Sequence, residues 1–264
     1  MHNGFLRHIR AFLLDMDGTI YLGDTLLPGA LNFLAFLDNN QIPYLFLTNN
    51  SSKNAIAYQK KLQRLGIHID FQKILTSGEA SAMFLAQNYP DANIFVVGTK
   101  ALIEEVAAKE LSIVEENPDL VLLGFDTTLT YEKLWRLCNY VRDGLPFIAT
   151  HSDINCPTED GFMPDIGATI AFIETSTGRK PDEIIGKPNC PMLQAISQKM
   201  NIPLQKMAMI GDRLYTDIAM GELGVRTILV LSGETTRQDA EVSKYQADLI
   251  VENLAELHNL KTSV

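Results

Sequence analysis

Two aspartates, Asp15 and Asp17, close an apolar run in AFLLDMDGTIYLGD at residues 11–24. Residues two apart in an extended chain point to the same side, so both carboxylates can serve one site. Another pair, Asp212 and Asp217, lies in GDRLYTD just after the apolar MAMI of 207–210. Thr48-Asn49-Asn50-Ser51-Ser52 follows YLFL at 44–47, and Gly186-Lys187-Pro188 follows Ile184-Ile185. Each cluster alone has a structural reading as a helix cap or a turn. Together they supply carboxylates, hydroxyl and amide donors, and one cation. Close carboxylates repel unless a cation or protons intervene, and hard oxygen ligands suit Mg²⁺. A threonine hydroxyl, backbone N–H groups and a lysine suit phosphate. The combination implies phosphoryl transfer.

The elements needed to bring these groups together are legible as alternation. Short apolar runs at Ala11–Leu14, Tyr44–Leu47, Ile94–Val97, Leu120–Leu123, Phe147–Ala149, Met207–Ile210 and Thr227–Leu231 read as buried strands. Helical spacing lies between them at Pro28–Asn39, Lys53–Leu65, Glu79–Gln87, Tyr131–Asp143, Pro191–Met200 and Thr216–Glu222. Such alternation predicts parallel sheets covered by helices. In open sheets of this kind ligands sit beyond the carboxyl ends of strands, which is where the four clusters fall. Thr76-Ser77-Gly78-Glu79 fits a capping box. LLGFDTTLT at 122–130 echoes the opening strand but lacks the second carboxylate, so it reads as a strand followed by a helix cap at Asp126 or a threonine. VVGTK at 96–100 lacks P-loop spacing and reads as a strand end and turn.

Composition bounds the rest. The 264 residues are 46% hydrophobic and 20% charged, enough for one large domain or two small ones. A net charge of −10 disfavours non-specific binding to nucleic acid or anionic membranes. The three cysteines, Cys138, Cys156 and Cys190, form no CxxC pattern and suggest a reducing compartment. The opening apolar stretch is too short for a signal peptide, and no window approaches ~20 apolar residues. A cytoplasmic protein without a membrane span is the expectation.

DMDGT, TNNSS, GKP and GDRLYTD, in that order, resemble the four motifs of the haloacid dehalogenase superfamily of phosphohydrolases. The chain is most similar to the NagD-like, or p-nitrophenylphosphatase-like, branch, from about Ala11 to Thr236. Gly124–Leu134, ATHSD at 149–153 and LVLSGETTR at 229–237 add to the likeness. The resemblance implies an α/β fold: a doubly wound, Rossmann-like parallel-sheet core of residues 1–78 and 183–264, with an α/β cap domain of residues 79–182 inserted. It implies a Mg²⁺-dependent phosphatase acting on small phosphomonoesters. Asp15 would be the nucleophile, forming an aspartyl-phosphate. Asp17 would protonate the leaving alkoxide and then deprotonate the hydrolytic water. Mg²⁺ would be held by the side chains of Asp15 and Asp212 and the backbone carbonyl of Asp17. Thr48, Asn49 and Asn50 would hold phosphate oxygens, and Lys187 would pair with phosphate and nucleophile. Asp217 would position Lys187 or water rather than bind metal.

The loop Thr150–Cys156 occupies the branch's substrate-specificity position, where the more usual relatives read TNPD; His151-Ser152 departs from that. His151 and Asp153 are therefore expected substrate contacts, a solvated histidine and a turn-fixing aspartate being the structural alternatives. Caps in this branch often carry a dimer interface, so a homodimer through the cap is a further expectation. A phosphomutase of the same superfamily, a phospho-aspartate signalling domain and a non-catalytic phosphometabolite-binding protein remain as other readings. The substrate (a nucleotide, sugar phosphate, phosphoglycolate or pyridoxal phosphate) stays open.

Overall fold

The computed structural model describes residues 3–158 and 161–262; positions 1–2, 159–160 and 263–264, which the expected domain ranges include, lie outside the described residues. Six strands form one sheet in the order Leu249–Val251, Arg226–Val230, Met207–Gly211, Ala11–Asp15, Tyr44–Thr48, Ile74–Thr76. Strand Ala11–Asp15 lies inside it, parallel to both neighbours, with Leu14 opposite Ile210 and Asp15 opposite Leu47. A strand paired on both edges in a helix-covered parallel sheet is apolar throughout. That is why Ala11–Leu14 is an unbroken buried run and why polarity begins at its end.

A second sheet has the order Glu183–Ile184, Phe147–Ala149, Leu120–Leu123, Asn93–Val97, Ser112–Ile113, with all its pairs parallel. Helices Tyr131–Arg142 and Ile166–Thr177 set Leu137, Val141, Ile166 and Ile173 against Phe95, Val121 and Phe147 of this sheet. Asn155–Thr158 and Gly161–Pro164 pair antiparallel beside them. The expected strands are all present, each within one residue of its predicted limits. Thr130, not Asp126, caps the helix that follows Leu120–Leu123, accepting from the Lys133 N–H at 3.3 Å. Asp126 instead fixes the turn, accepting from the Thr128 N–H at 2.8 Å and from Lys133 Nζ at 2.6 Å. Thr76 caps Ser77–Asn88, its hydroxyl oxygen accepting from the Glu79 N–H at 2.9 Å. The helix expected at Thr216–Glu222 is a 3₁₀ segment, Ile218–Leu223, with Gly221 inside it and Gly224 ending it at φ +91°. Two glycines over so short a span disfavour a regular α-helix.

The chain divides into two compact units. One comprises the described residues up to Leu47, Gln59–Ile74 and those from Ile196 onward; the other comprises Thr48–Tyr58 and Leu75–Ala195. The described residues of 79–182 fall in the second unit. This division differs from the expected boundaries at 48–58, 75–78 and 183–195, all of which join the second unit. Glu183–Ile184 does so because it extends the second sheet beside Phe147–Ala149. No helix among the described residues is long and apolar enough to cross a membrane.

Candidate active site

The first unit assembles carboxylates. Strands Ala11–Asp15 and Met207–Gly211 are neighbours, and the chain beyond each delivers its acids to the same end of the sheet. Carboxylate oxygens of Asp15, Asp212 and Asp217 lie within 4.8 Å of one another. The Asp17 side chain is exposed and is not part of that group, so the expected share of Asp17 in metal binding rests on its backbone carbonyl. Gly18 turns the chain at φ +81°, where a Cβ would overlap the Asp212 carboxylate. Gly211 leaves room for Asp217 in the same way.

Backbone amides fix the two later acids. The Glu234 N–H donates to Asp212 Oδ2 at 2.7 Å and the Arg213 N–H to Asp217 Oδ2 at 3.1 Å. Asp212 Oδ1 is buried with no hydrogen-bond partner among the described residues. Burial pushes the Asp212 carboxyl up to about 7, the Asp217 charge adds to this, and the Glu234 N–H and the Arg213 charge oppose it. A buried carboxylate with one unsatisfied oxygen beside two others is the donor set of a hard divalent cation, which these residues fit.

The second unit assembles the remaining polar residues. Thr48 ends strand Tyr44–Thr48, and its hydroxyl oxygen accepts from the Asn50 N–H at 3.1 Å. Asn50 Oδ1 in turn accepts from the Ser52 N–H at 2.9 Å, so the segment is a chain of side-chain-capped turns. The Asn49 side chain is wholly engaged with protein. Its Nδ2 donates to Asp153 Oδ1 and to the Lys187 carbonyl, both at 3.1 Å, and its Oδ1 accepts from the Lys187 N–H at 2.8 Å. Lys187 is 3% exposed. Gly186 admits this packing, since a Cβ there would stand 2.7 Å from Asn49 Oδ1 and 2.8 Å from His151 Cβ.

His151 is 1% exposed, not solvated. Its Nδ1 accepts from the Asp153 N–H at 3.3 Å, and its Nε2 faces Asp165 Oδ1 at 3.5 Å. Thus Asn49, His151, Asp153 and Lys187 are brought together within the second unit, and Asp15, Asp212 and Asp217 within the first. Ser51, singled out only as part of TNNSS, and Asp165, not singled out at all, were given no role by the sequence reading. Ser51 bonds Thr150 Oγ1 at 2.8 Å and accepts from the Phe125 N–H at 2.8 Å. Asp165 carries only the signal of a cap, an acid directly before a helix, and it does accept from the Ile166 N–H at 2.6 Å.

Residues 12–112 match the family described as haloacid dehalogenase-like hydrolase, and residues 184–257 match a HAD-hydrolase-like family. An acid sugar phosphatase of Staphylococcus epidermidis is 36% identical over 89% of this chain and 92% of its own. The chain belongs to the haloacid dehalogenase-like hydrolases. Its structure is similar to that of a 4-nitrophenylphosphatase from Thermotoga maritima, with TM-score 0.93 and 47% identity over 96% of this chain and 98% of that one. NagD from E. coli K-12 superposes with TM-score 0.88 and 31% identity over 94% and 98%. This haloacid dehalogenase-like hydrolase is therefore a phosphatase, a phosphoric monoester hydrolase, with the parallel-sheet core and second α/β domain of its NagD-like relatives.

Proposed function

We propose that the chain hydrolyses small phosphomonoesters with Mg²⁺ through an aspartyl-phosphate on Asp15. The observation that carries this reading is the convergence of Asp15, Asp212 and Asp217, with Asp212 held above the ordinary carboxylate range. Mg²⁺, held by Asp15, Asp212 and the Asp17 carbonyl, supplies positive charge that lets a carboxylate approach an anionic ester. An Asp15 oxygen attacks phosphorus, the P–O bond to the alkoxide breaks, and Asp17 gives that alkoxide its proton. Asp17 then takes a proton from water, whose oxygen attacks the same phosphorus and releases Asp15 and inorganic phosphate. Thr48, the Asn49–Asn50 segment and Lys187 hold the phosphoryl group. Residues 79–182 act as the cap, with the Thr150–Cys156 loop choosing among substrates.

The same proposal includes a homodimer through the cap and a cytoplasmic location. Exposed aromatic side chains at Tyr131 (79%), Trp135 (62%) and Phe162 (75%) support the former. The unbridged Cys138, Cys156 and Cys190 support the latter. The test is steady turnover of p-nitrophenyl phosphate by the purified chain, lost in excess chelator and restored by Mg²⁺. Asp15→Asn should abolish it without unfolding the chain, the amide being nearly isosteric but not nucleophilic. Turnover near the unmodified rate, with deamidation excluded, would overturn the assignment.

A further inference from the structure

Asn49 links the loop Thr150–Cys156 to Lys187. The Asn49 amide grips both main-chain polar groups of Lys187 and uses its remaining donor on Asp153 Oδ1. Asp153 is held by His151, whose Nδ1 accepts from the Asp153 N–H; Asp153 Oδ2, 3.8 Å from that nitrogen, is too far to compete. An accepting Nδ1 places the ring proton on Nε2, which faces the Asp165 carboxylate at 3.5 Å. Asp165 is itself anchored, accepting from the Ile166 N–H and donating its own N–H to the Ile154 carbonyl at 2.9 Å. The Gly167 N–H closes the circuit on the Asp153 carbonyl at 2.8 Å.

We propose that His151 and Asn49 are positioning residues for Lys187, His151 acting through Asp153, and that neither side chain contacts the leaving group. His151 Nδ1 and the Asn49 amide groups are hydrogen-bonded to protein, so a substrate would have to displace buried hydrogen bonds to reach them, while the buried Nε2, with no hydrogen-bond partner among the described residues, stands 3.5 Å from Asp165 Oδ1. The arrangement ties the N-terminus of helix Ile166–Thr177 and the specificity loop to the lysine that grips phosphate. This rests on the phosphatase reading above, and it differs from a substrate-contact role in what it does to different esters. A misplaced Lys187 weakens the hold on the phosphoryl group whatever that group is attached to.

The experiment compares His151→Ala, His151→Asn and Asn49→Ala with the unmodified chain in excess Mg²⁺. It reads kcat and KM for p-nitrophenyl phosphate and for a sugar phosphate, Ki for inorganic phosphate, and Tm. Inorganic phosphate has no leaving group, so its Ki responds only to the phosphate-holding side chains. His151→Ala and Asn49→Ala should lower kcat for both esters by one common factor, on the order of 10, and raise the phosphate Ki about as much. His151→Asn keeps an acceptor near the Nδ1 position and should restore both values to within about threefold. Unequal losses between the esters with an unchanged phosphate Ki would overturn the proposal in favour of substrate contact. A lowered Tm with no rescue by His151→Asn would overturn it in favour of a purely structural loop. Should His151→Ala fail to fold, the nearly isosteric Asn49→Asp decides, and an unchanged phosphate Ki there overturns the proposal. If the unmodified chain turns nothing over, the phosphatase reading fails, and phosphate dissociation constants of the variants by calorimetry still decide this one.

Discussion

On the proposed function, Asp212 is where a proton and a cation would compete for one carboxylate. Its pKa of about 7 in the folded chain, raised by burial and by the Asp217 charge from an ordinary value of 3.8, means that folding takes up a proton between those limits. For an acid whose folded pKa is raised, metal-free stability is fully present below the unfolded value and declines as pH rises toward the folded one. A divalent cation binds the deprotonated carboxylate and reverses that loss. The rise in Tm given by Mg²⁺ should therefore be small near pH 5 and grow toward pH 8, as thermal scans in chelator and in excess Mg²⁺ would record. An equal rise at both pH values would mean that Asp212 is not a ligand. Asp17 is exposed and outside the carboxylate group, and the proposed function gives it the proton-transfer role. General acid catalysis contributes ~10²–10⁴-fold, and nitrophenolate leaves readily without a proton while a sugar alkoxide does not. Asp17→Asn should accordingly slow single-turnover phosphorylation of Asp15 far less with p-nitrophenyl phosphate than with a sugar phosphate. Equal losses would remove Asp17 from that role.

At the scale of elements, the site depends on how closely the turn after strand Ala11–Asp15 approaches the one after Met207–Gly211. Gly18 is the point of contact, at φ +81° and with no room for a Cβ beside Asp212. Gly18→Ala carries a backbone penalty of roughly 1–2 kcal/mol for the left-handed conformation and also displaces a carboxylate. Its Mg²⁺ activation constant should rise at least about tenfold. Gly66→Ala is the control: φ is +86° there, but nothing lies within 4 Å of the added Cβ. That variant should lose stability alone and keep its Mg²⁺ requirement. Matching changes in the two activation constants would show that the turn contributes only stability.

For the whole molecule, residues 79–182 lie in a unit with its own parallel sheet and its own core. That unit exposes Tyr131 and Trp135, one helical turn apart on Tyr131–Arg142. Aromatic residues so exposed are enriched at the centres of interfaces. Trp135→Glu should shift the proposed dimer to monomer in light scattering behind size exclusion while leaving helix content unchanged. A monomeric unmodified chain would end the dimer proposal.

Chemistry and architecture were legible locally. The runs AFLL, YLFL and MAMI are buried strands because apolar continuity is what a doubly paired parallel strand requires, and the acids after them mark its open end. Ile74–Thr76 and Leu249–Val251, the three-residue strands at the two edges of the first sheet, were not read from the sequence. Helix Ile166–Thr177 was missed since its β-branched residues and Gly167 mask the helical period, and the sheet against it decides the outcome. The same limit applies to the site. The residue types of Asp15, Asp17, Asp212 and Lys187 fixed the class of reaction from spacing within short motifs. Whether His151 is solvated or clasped, and whether Asn49 has a free amide, depends on partners 104 and 138 residues away in the chain for Asn49 and on Asp165 for His151. Only the folded chain sets those distances, and only burial among other acids sets the proton affinity of Asp212.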